Sequence, residues 1–312
     1  MSAVTKREEV YSAIEEASGL LDVTCSRENV WPVLTAFEDA LADAVVVLSM
    51  ASGEGQSAEL DYTITVPAGG VDPYSRALSN GFIDKTEHPV GTLLSDIEER
   101  CPVRGYAIDV GVTGGFKKTY AFFALDNLPS LATLTGVPSV PGAVAENAGA
   151  FAHHGLADHV TMVGIDYQHR TMNVYFGKLP DGCLEPKVIL AMLEELGLPA
   201  PSERTLEFIQ KSFSIYITVG WDSAKVDRIC FAVLTQDANA LPARIEPQIA
   251  QFAKSAPHAY ADERVLVYGS TLSPTGEYYK LGSYYQMPPE TFKLLQTHDA
   301  FEDQAARTTG DR

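Results

Sequence analysis

Hairpin-like segments recur along this chain at intervals of about 55 residues, a period that marks a repeat architecture. At the equivalent strand position each carries a polar or charged residue: Asp61, Lys118, Asn173, Arg228 and Lys280. Each unit reads as a helix-rich stretch, a strand, a tight turn and a second strand. Alternation within the strands is clear. Asp61, Thr63 and Thr65 oppose Leu60, Tyr62, Ile64 and Val66. Thr171, Asn173 and Tyr175 oppose Met172, Val174 and Phe176, and Ser212, Ser214, Tyr216 and Thr218 oppose Phe213, Ile215, Ile217 and Val219.

A sheet with one apolar and one polar face is covered by helices on the apolar side. Its polar face then meets bulk water or an enclosed lumen. Ten such strands can close into a barrel, which removes exposed edges and leaves an interior wide enough for a ligand. The alternative is an open sheet with a wet polar face. Tyr120, Phe122, Tyr175, Tyr216 and Tyr284 fall on that face and argue for enclosure. The fold class expected is α+β: a ten-stranded antiparallel barrel with a solvent-filled lumen, ringed by helices in five helix-helix-hairpin units.

Helical periodicity occupies the intervals. Ser26 is placed to cap a helix whose stripe is Val30, Val33, Leu34, Phe37 and Leu41. Similar patterns lie at 10–21, 90–100, 143–151, 188–196, 206–211 and 245–253, with Pro141 and Pro186 where a first turn tolerates them. No linker separates two halves, so one domain over residues 1–303 is expected, with a polar, frayed tail at 304–312.

The chain has 312 residues and a formal charge of −18, from 41 acidic and 23 basic residues. That balance argues against nucleic acid and against acidic membrane surfaces as partners. Cys25, Cys101, Cys183 and Cys230 lie far apart with no metal-ligand spacing, and read as reduced thiols of a cytoplasmic protein. Residues 1–11 lack the apolar core of a signal peptide, and no apolar window reaches membrane-spanning length.

Lys118, Arg228 and Lys280 share the polar face, and together they would repel one another without an anion. Arg forks and Lys point charges are partners of phosphate oxygens. Asp61 at the matching position of the first repeat suits either Mg²⁺, which takes one or two carboxylates plus substrate phosphates and water, or a salt bridge to a neighbouring cation. No paired-aspartate diphosphate motif is present. The run Gly111-Val112-Thr113-Gly114-Gly115-Phe116-Lys117-Lys118-Thr119 lacks the ending of a phosphate-binding P-loop and reads as a hairpin turn. His153-His154 and His258 have no further ligand at metal spacing and read as surface residues. Cations beside a wall of tyrosines, whose faces attract positive charge, suit ionisation of an allylic diphosphate: Lys118, Tyr216, Arg228 and Lys280 would stabilise the departing anion.

Several segments carry a family resemblance: Ser49-Met50-Ala51-Ser52-Gly53, Glu59-Leu60-Asp61-Tyr62, Thr113-Gly114-Gly115-Phe116-Lys117-Lys118-Thr119-Tyr120, Ser212-Phe213-Ser214-Ile215-Tyr216, Asp227-Arg228-Ile229-Cys230-Phe231 and Glu277-Tyr278-Tyr279-Lys280-Leu281-Gly282-Ser283-Tyr284-Tyr285. Through them nearly the whole chain resembles the NphB-like aromatic prenyltransferases, the ABBA-fold family, whose ten-stranded barrel holds the reaction in its lumen. The resemblance implies diphosphate contacts at Ser49, Lys118, His169, Thr171, Asn173, Tyr216, Arg228 and Lys280, and Mg²⁺ at Asp61. It implies acceptor and prenyl-tail contacts at Val47, Tyr120, Thr161, Tyr175, Phe213, Ser214, Val267, Ser270 and Tyr284.

Departures from the family pattern are His169 in place of a diphosphate-binding lysine, Thr161 in place of a glutamine and Ser270 in place of a leucine. His169 implies a diphosphate grip that is weaker or more dependent on Arg228 and Lys280, and Thr161 and Ser270 imply a different acceptor and position of attack. The expected activity is transfer of a dimethylallyl or geranyl group from its diphosphate to a hydroxylated, naphthalene-type aromatic, mainly at carbon, by a monomer. The competing expectation is a non-catalytic carrier of an anionic aromatic metabolite.

Overall fold

A computed structural model describes residues 3–52, 59–240, 247–260 and 264–288. Its strands are β1 (Val46–Ser52), β2 (Leu60–Pro67), β3 (Val103–Gly111), β4 (Gly115–Phe123), β5 (Val160–Asp166), β6 (Thr171–Phe176), β7 (Ser214–Gly220), β8 (Val226–Thr235), β9 (Leu266–Ser273) and β10 (Gly276–Gln286). Each pairs antiparallel with its chain neighbour, and β1 pairs with β10, so the ten strands close into a barrel. The barrel is the expected one, and the open-sheet alternative falls.

The helices wrap the outside: α1 (Ala3–Leu20), α2 (Arg27–Ala36), α3 (Pro73–Ser79), α4 (Leu93–Arg100), α5 (Leu131–Thr135), α6 (Gly142–His153), α7 (Pro186–Glu195), α8 (Glu203–Ile209) and α9 (Pro247–Ser255). Four hairpins follow a pair of helices; β9–β10 follows α9 alone among the described residues. Local chemistry sets the helix starts. Asp72 accepts the Ser75 amide at 2.8 Å with Pro73 in the first turn of α3, and Ser130 and Ser202 accept the amides of Thr133 and Thr205. Ser26 occupies the N-cap of α2, but its hydroxyl makes no capping bond, and the helix ends at Ala36, short of Leu41. The expected tail at 304–312 lies outside the described residues.

The core lies between barrel and helices. Leu48, Tyr62, Ile64, Val163, Val174, Ile217, Ile229 and Leu272, all at outward strand positions, are completely buried. They pack with Val30, Leu34 and Phe37 of the α2 region in one continuous cluster. Each such side chain contributes roughly 1.5–3 kcal/mol by leaving water. This apolar layer fixes the strand register, because a one-residue slip would turn it inward. The polar faces are thereby committed to the lumen.

Candidate active site

Inward orientation can be checked at glycines. A β-carbon on Gly282 would lie 3.0 Å from a Val47 methyl and 2.8 Å from a Val267 methyl, and one on Gly269 would lie 2.8 Å from Cys230 Sγ and 3.6 Å from Lys280 Cβ. These groups therefore line one lumen. The even-numbered strands start at the hairpin turns, so Asp61, Lys118, Asn173, Arg228 and Lys280 converge at the hairpin end of the barrel. Closure of the barrel brings the repeated positions together.

The cations at this end are not equivalent. Opposite Asp109 and Val110 the register of β4 shifts, and Lys117 becomes an extra residue between Phe116, which packs outward on Phe37, and Lys118. Such a bulge re-aims a side chain. Both lysines consequently turn inward. Lys117 Nζ lies 2.6 Å from Asp61 Oδ1 and 2.7 Å from Glu59 Oε2, while Lys118 Nζ lies 3.2 Å from Asp166 Oδ2. A matching bulge on β8 pairs Thr218 with Arg228 and Val219 with Val226, leaving Asp227 as the extra residue.

Arg228 and Lys280 form no ion pair or side-chain hydrogen bond among the described residues. Burial, then Lys118 and Arg228, lower the Lys280 ammonium from 10.5 to about 8. Carboxylates respond in the opposite sense. Burial and the nearby Asp109 push Asp61 up to about 6 despite the pull of Lys117. Burial would raise Asp166, but Lys118 and His169 hold it below its usual range. Among the described residues, the hairpin end therefore contains two lysines paired with carboxylates and two cations without such a partner.

Next to this charge lies an aromatic row. Tyr175 and Tyr216 overlap with ring centroids 4.5 Å apart, and Tyr120 meets Tyr175 edge-on at 6.2 Å. Gly164, on the strand between them, makes the row possible: a β-carbon there would sit 2.9 Å from the Tyr120 ring. Asn173 donates to the Tyr175 hydroxyl at 3.1 Å and accepts from Thr218 at 2.8 Å. Burial raises all three tyrosines far above 10, so their hydroxyls stay neutral.

The opposite end of the lumen is apolar. Phe213, Val267, Tyr260 and Tyr284 pack around Leu234, Val265 and Met287. Phe213 precedes β7 and escapes that strand's alternation, so it joins this lining instead of the outer core. A cleft of about 840 Å³ opens beside it, bounded by residues 178–186, 210–213, Leu234 and Thr235. Ser214 spends its hydroxyl on the Phe176 carbonyl at 2.9 Å. Thr161 lies at a bulge of β5, with its hydroxyl donating to the Tyr175 carbonyl at 3.3 Å.

Ser49 and Thr171 lie on lumen-facing positions beside Asp61 and Asp166, and the Thr171 hydroxyl is buried without a partner. Two expected site residues lie outside the lumen. Ser270 faces outward: Gly269 and Thr271 take the inward positions, and Ser270 is buried under the outer layer with its hydroxyl unpartnered. His169 stays at the rim, where its side chain is 70 % exposed and its Nδ1 rests 3.1 Å from Asp166. It buttresses the carboxylate that holds Lys118 rather than entering the lumen. The histidine pair also differs from expectation, because His154 is buried at its side chain and Glu195 of α7 reaches both rings.

Sequence reasoning missed Lys117, Glu59, Asp109 and Asp166. A lysine doublet just after a Gly-Gly turn, between outward Phe116 and Thr119, is the one local sign of a bulge. The carboxylates gave no such sign, since Asp109 and Asp166 are isolated acidic residues in largely apolar strands and Glu59 lies just before β2.

A closed barrel whose lumen sets cations beside an aromatic wall suits an anionic ligand together with an aromatic one. The comparisons agree. The family model described as aromatic prenyltransferase Orf2 matches residues 5–295, and the chain belongs to this family of aromatic prenyltransferases. It is 47% identical over 277 residues to the furaquinocin biosynthesis prenyltransferase of Streptomyces sp. (strain KO-3988), covering 89% of each chain. It is 45% identical to the flaviolin linalyltransferase of Streptomyces virginiae, covering 92% of this chain and 94% of that one. It is 43% identical to the 5,10-dihydrophenazine-1-carboxylate 9-dimethylallyltransferase of Streptomyces anulatus, over 96% of this chain and the whole of the relative. A solved structure of 6-dimethylallyltryptophan synthase from Micromonospora olivasterospora superimposes with a TM-score of 0.55, over 91% of this chain and 99% of that one, at 9% identity. That likeness is one of fold.

Proposed function

We propose that this aromatic prenyltransferase moves a dimethylallyl or geranyl group from its diphosphate to a hydroxylated, naphthalene-type aromatic, mainly at carbon. The observation that carries the reading is the pair Arg228 and Lys280, cations without a counter-ion among the described residues, beside the close Tyr175 and Tyr216 rings. Relatives named for furaquinocin biosynthesis, for a linalyl group on flaviolin and for a dimethylallyl group on a dihydrophenazine support the two substrate classes.

Diphosphate oxygens meet Arg228 and Lys280 first, with Lys118, Asn173, Ser49, Thr171 and the Tyr216 hydroxyl at the margins. As the carbon–oxygen bond breaks, its electron pair leaves with the diphosphate, and these fixed donors stabilise the growing charge. The allylic cation is left against the faces of Tyr120, Tyr175 and Tyr216, which attract it without competing as nucleophiles because their phenols stay protonated. A π pair of the acceptor, held toward Val47, Val267, Phe213 and Tyr284, forms the carbon–carbon bond. The displaced ring proton leaves through a hydroxyl relay to water, since no charged base among the described residues faces this part of the lumen. Exclusion of bulk water protects the cation until attack.

Asp61 and Asp109 fit Mg²⁺: burial and then the neighbouring Asp109 charge raise Asp61, and these two carboxylates would hold a divalent ion that relieves their repulsion. When bound it would supply charge neutralisation to the leaving group. Lys117 already offers part of that charge from within the barrel. The closed sheet leaves no free edge, and we propose a monomer. No helix among the described residues is long and apolar enough to cross a membrane, which supports a cytoplasmic setting.

The test is a mass-spectrometric assay with dimethylallyl and geranyl diphosphate against dihydroxynaphthalenes, flaviolin and a dihydrophenazine, with Mg²⁺ or EDTA. The expected product is heavier by one prenyl unit, and Arg228→Ala or Lys280→Ala abolishes it in a folded protein. Aromatic binding without diphosphate release in any pairing would instead establish a carrier.

A further inference from the structure

On the outside of the barrel, two helix ends bring together groups that the reaction does not use. His153 is the last residue of α6, His154 follows it as the C-cap, and Glu195 is the last residue of α7. His153 Nδ1 lies 3.3 Å and His154 Nε2 3.1 Å from the same Glu195 oxygen, and the three atoms all fall within 4.8 Å of one another. We propose that His153, His154 and Glu195 form a transition-metal site of the zinc class that ties the C-terminal ends of α6 and α7 together.

The geometry is close to what such an ion requires. With metal–ligand bonds of about 2.0–2.2 Å, neighbouring ligands of a tetrahedral ion lie roughly 3.4 Å apart. Both histidine-to-glutamate distances match that spacing, and a turn of the exposed Glu195 carboxylate would let an ion take the place of the two hydrogen bonds. Two imidazoles and a carboxylate suit Zn²⁺ and its neighbours, and not Mg²⁺ or Ca²⁺, which take oxygen shells. The three protein ligands leave one position for water.

Electrostatics points the same way. Both helices present their C-terminal ends, each carrying partial negative charge from unsatisfied carbonyls. The protein as a whole carries −18, which raises the local concentration of cations. His154 is nearly buried at its side chain, 7 % exposed, whereas His153 is 75 % exposed. One ligand is thus fixed by packing and the other can close over the ion. Hydrogen bonding alone would account for the same contacts, so the experiment must separate the two.

Full-length protein, stripped with chelator and dialysed, is titrated with Zn²⁺ by calorimetry and with Co²⁺ by visible absorption. The expected result is one ion per chain with a dissociation constant in the range of about 10 µM or tighter, and a four-coordinate Co²⁺ spectrum. At 100-fold excess over that constant the melting temperature should rise by several degrees. His153→Ala and Glu195→Gln, both at exposed positions, should each weaken binding at least about tenfold. They should leave prenyl transfer unchanged, and Asp61→Asn should keep the Zn²⁺ affinity. Absence of stoichiometric binding overturns the site, as does binding that survives both variants.

Discussion

At Lys280, burial and two neighbouring cations act in the same direction and hold the ammonium near 8. The free enzyme should therefore lose affinity for the prenyl donor as pH rises through about 8, with kcat/KM for the donor approaching a tenfold fall per unit. A profile flat from pH 7 to 9.5 would remove Lys280 from the anion site. The same shift has a stability cost. Because the folded value lies below the unfolded 10.5, the protonated form is disfavoured by the fold, the penalty is full below about 8, and it fades as pH rises toward 10.5. Lys280→Met should accordingly be inactive yet melt higher than the parent at pH 7, an advantage that disappears above about pH 10.5. A lower melting temperature at pH 7 would show that the ammonium is stabilised by something other than substrate. Lys117→Met should leave Asp61 and Glu59 unneutralised and sharpen the dependence on Mg²⁺. Activity measured with and without EDTA checks this, and equal EDTA sensitivity in parent and variant refutes it. Lys118, Arg228 and Lys280 were legible from alternation alone. Their partners were not, because an ion pair across strands depends on register.

Within the strands, alternation predicts orientation only where the ladder is regular. It placed Tyr120, Tyr175 and Tyr216 on the lumen face correctly, since β4 pairs in register with β5, and β6 with β7, throughout those stretches. It failed at Lys117, where a bulge puts two successive residues on one face. The resemblance failed in the converse way at Ser270, which a regular β9 turns outward. Gly164 shows how one strand serves its neighbours: its missing side chain is the space that the Tyr120 ring fills. Gly164→Ala should destabilise the fold by about 1–3 kcal/mol through overpacking. It should also cut turnover by displacing Tyr120 from the cation wall. Urea denaturation reads the first effect and steady-state kinetics the second; unchanged values in both would mean that Tyr120 moves aside at no cost.

Across the whole molecule, the apolar layer between barrel and helices supplies the stability, and the lumen withholds some of it for function. Inorganic pyrophosphate, by meeting Arg228 and Lys280, should raise the melting temperature in a saturable way that weakens with salt. No shift in wild-type protein at millimolar pyrophosphate would contradict an anion site in the lumen. The repeat period and the two-faced strands were enough by themselves to favour a helix-ringed barrel over an open sheet and to nominate its inward cations, because burial of apolar faces is a local property of pattern. Which cations are already neutralised, which residues leave the alternation and where His153, His154 and Glu195 meet were decided only by tertiary structure. Those contacts depend on register and helix docking, and one residue of shift changes every partner.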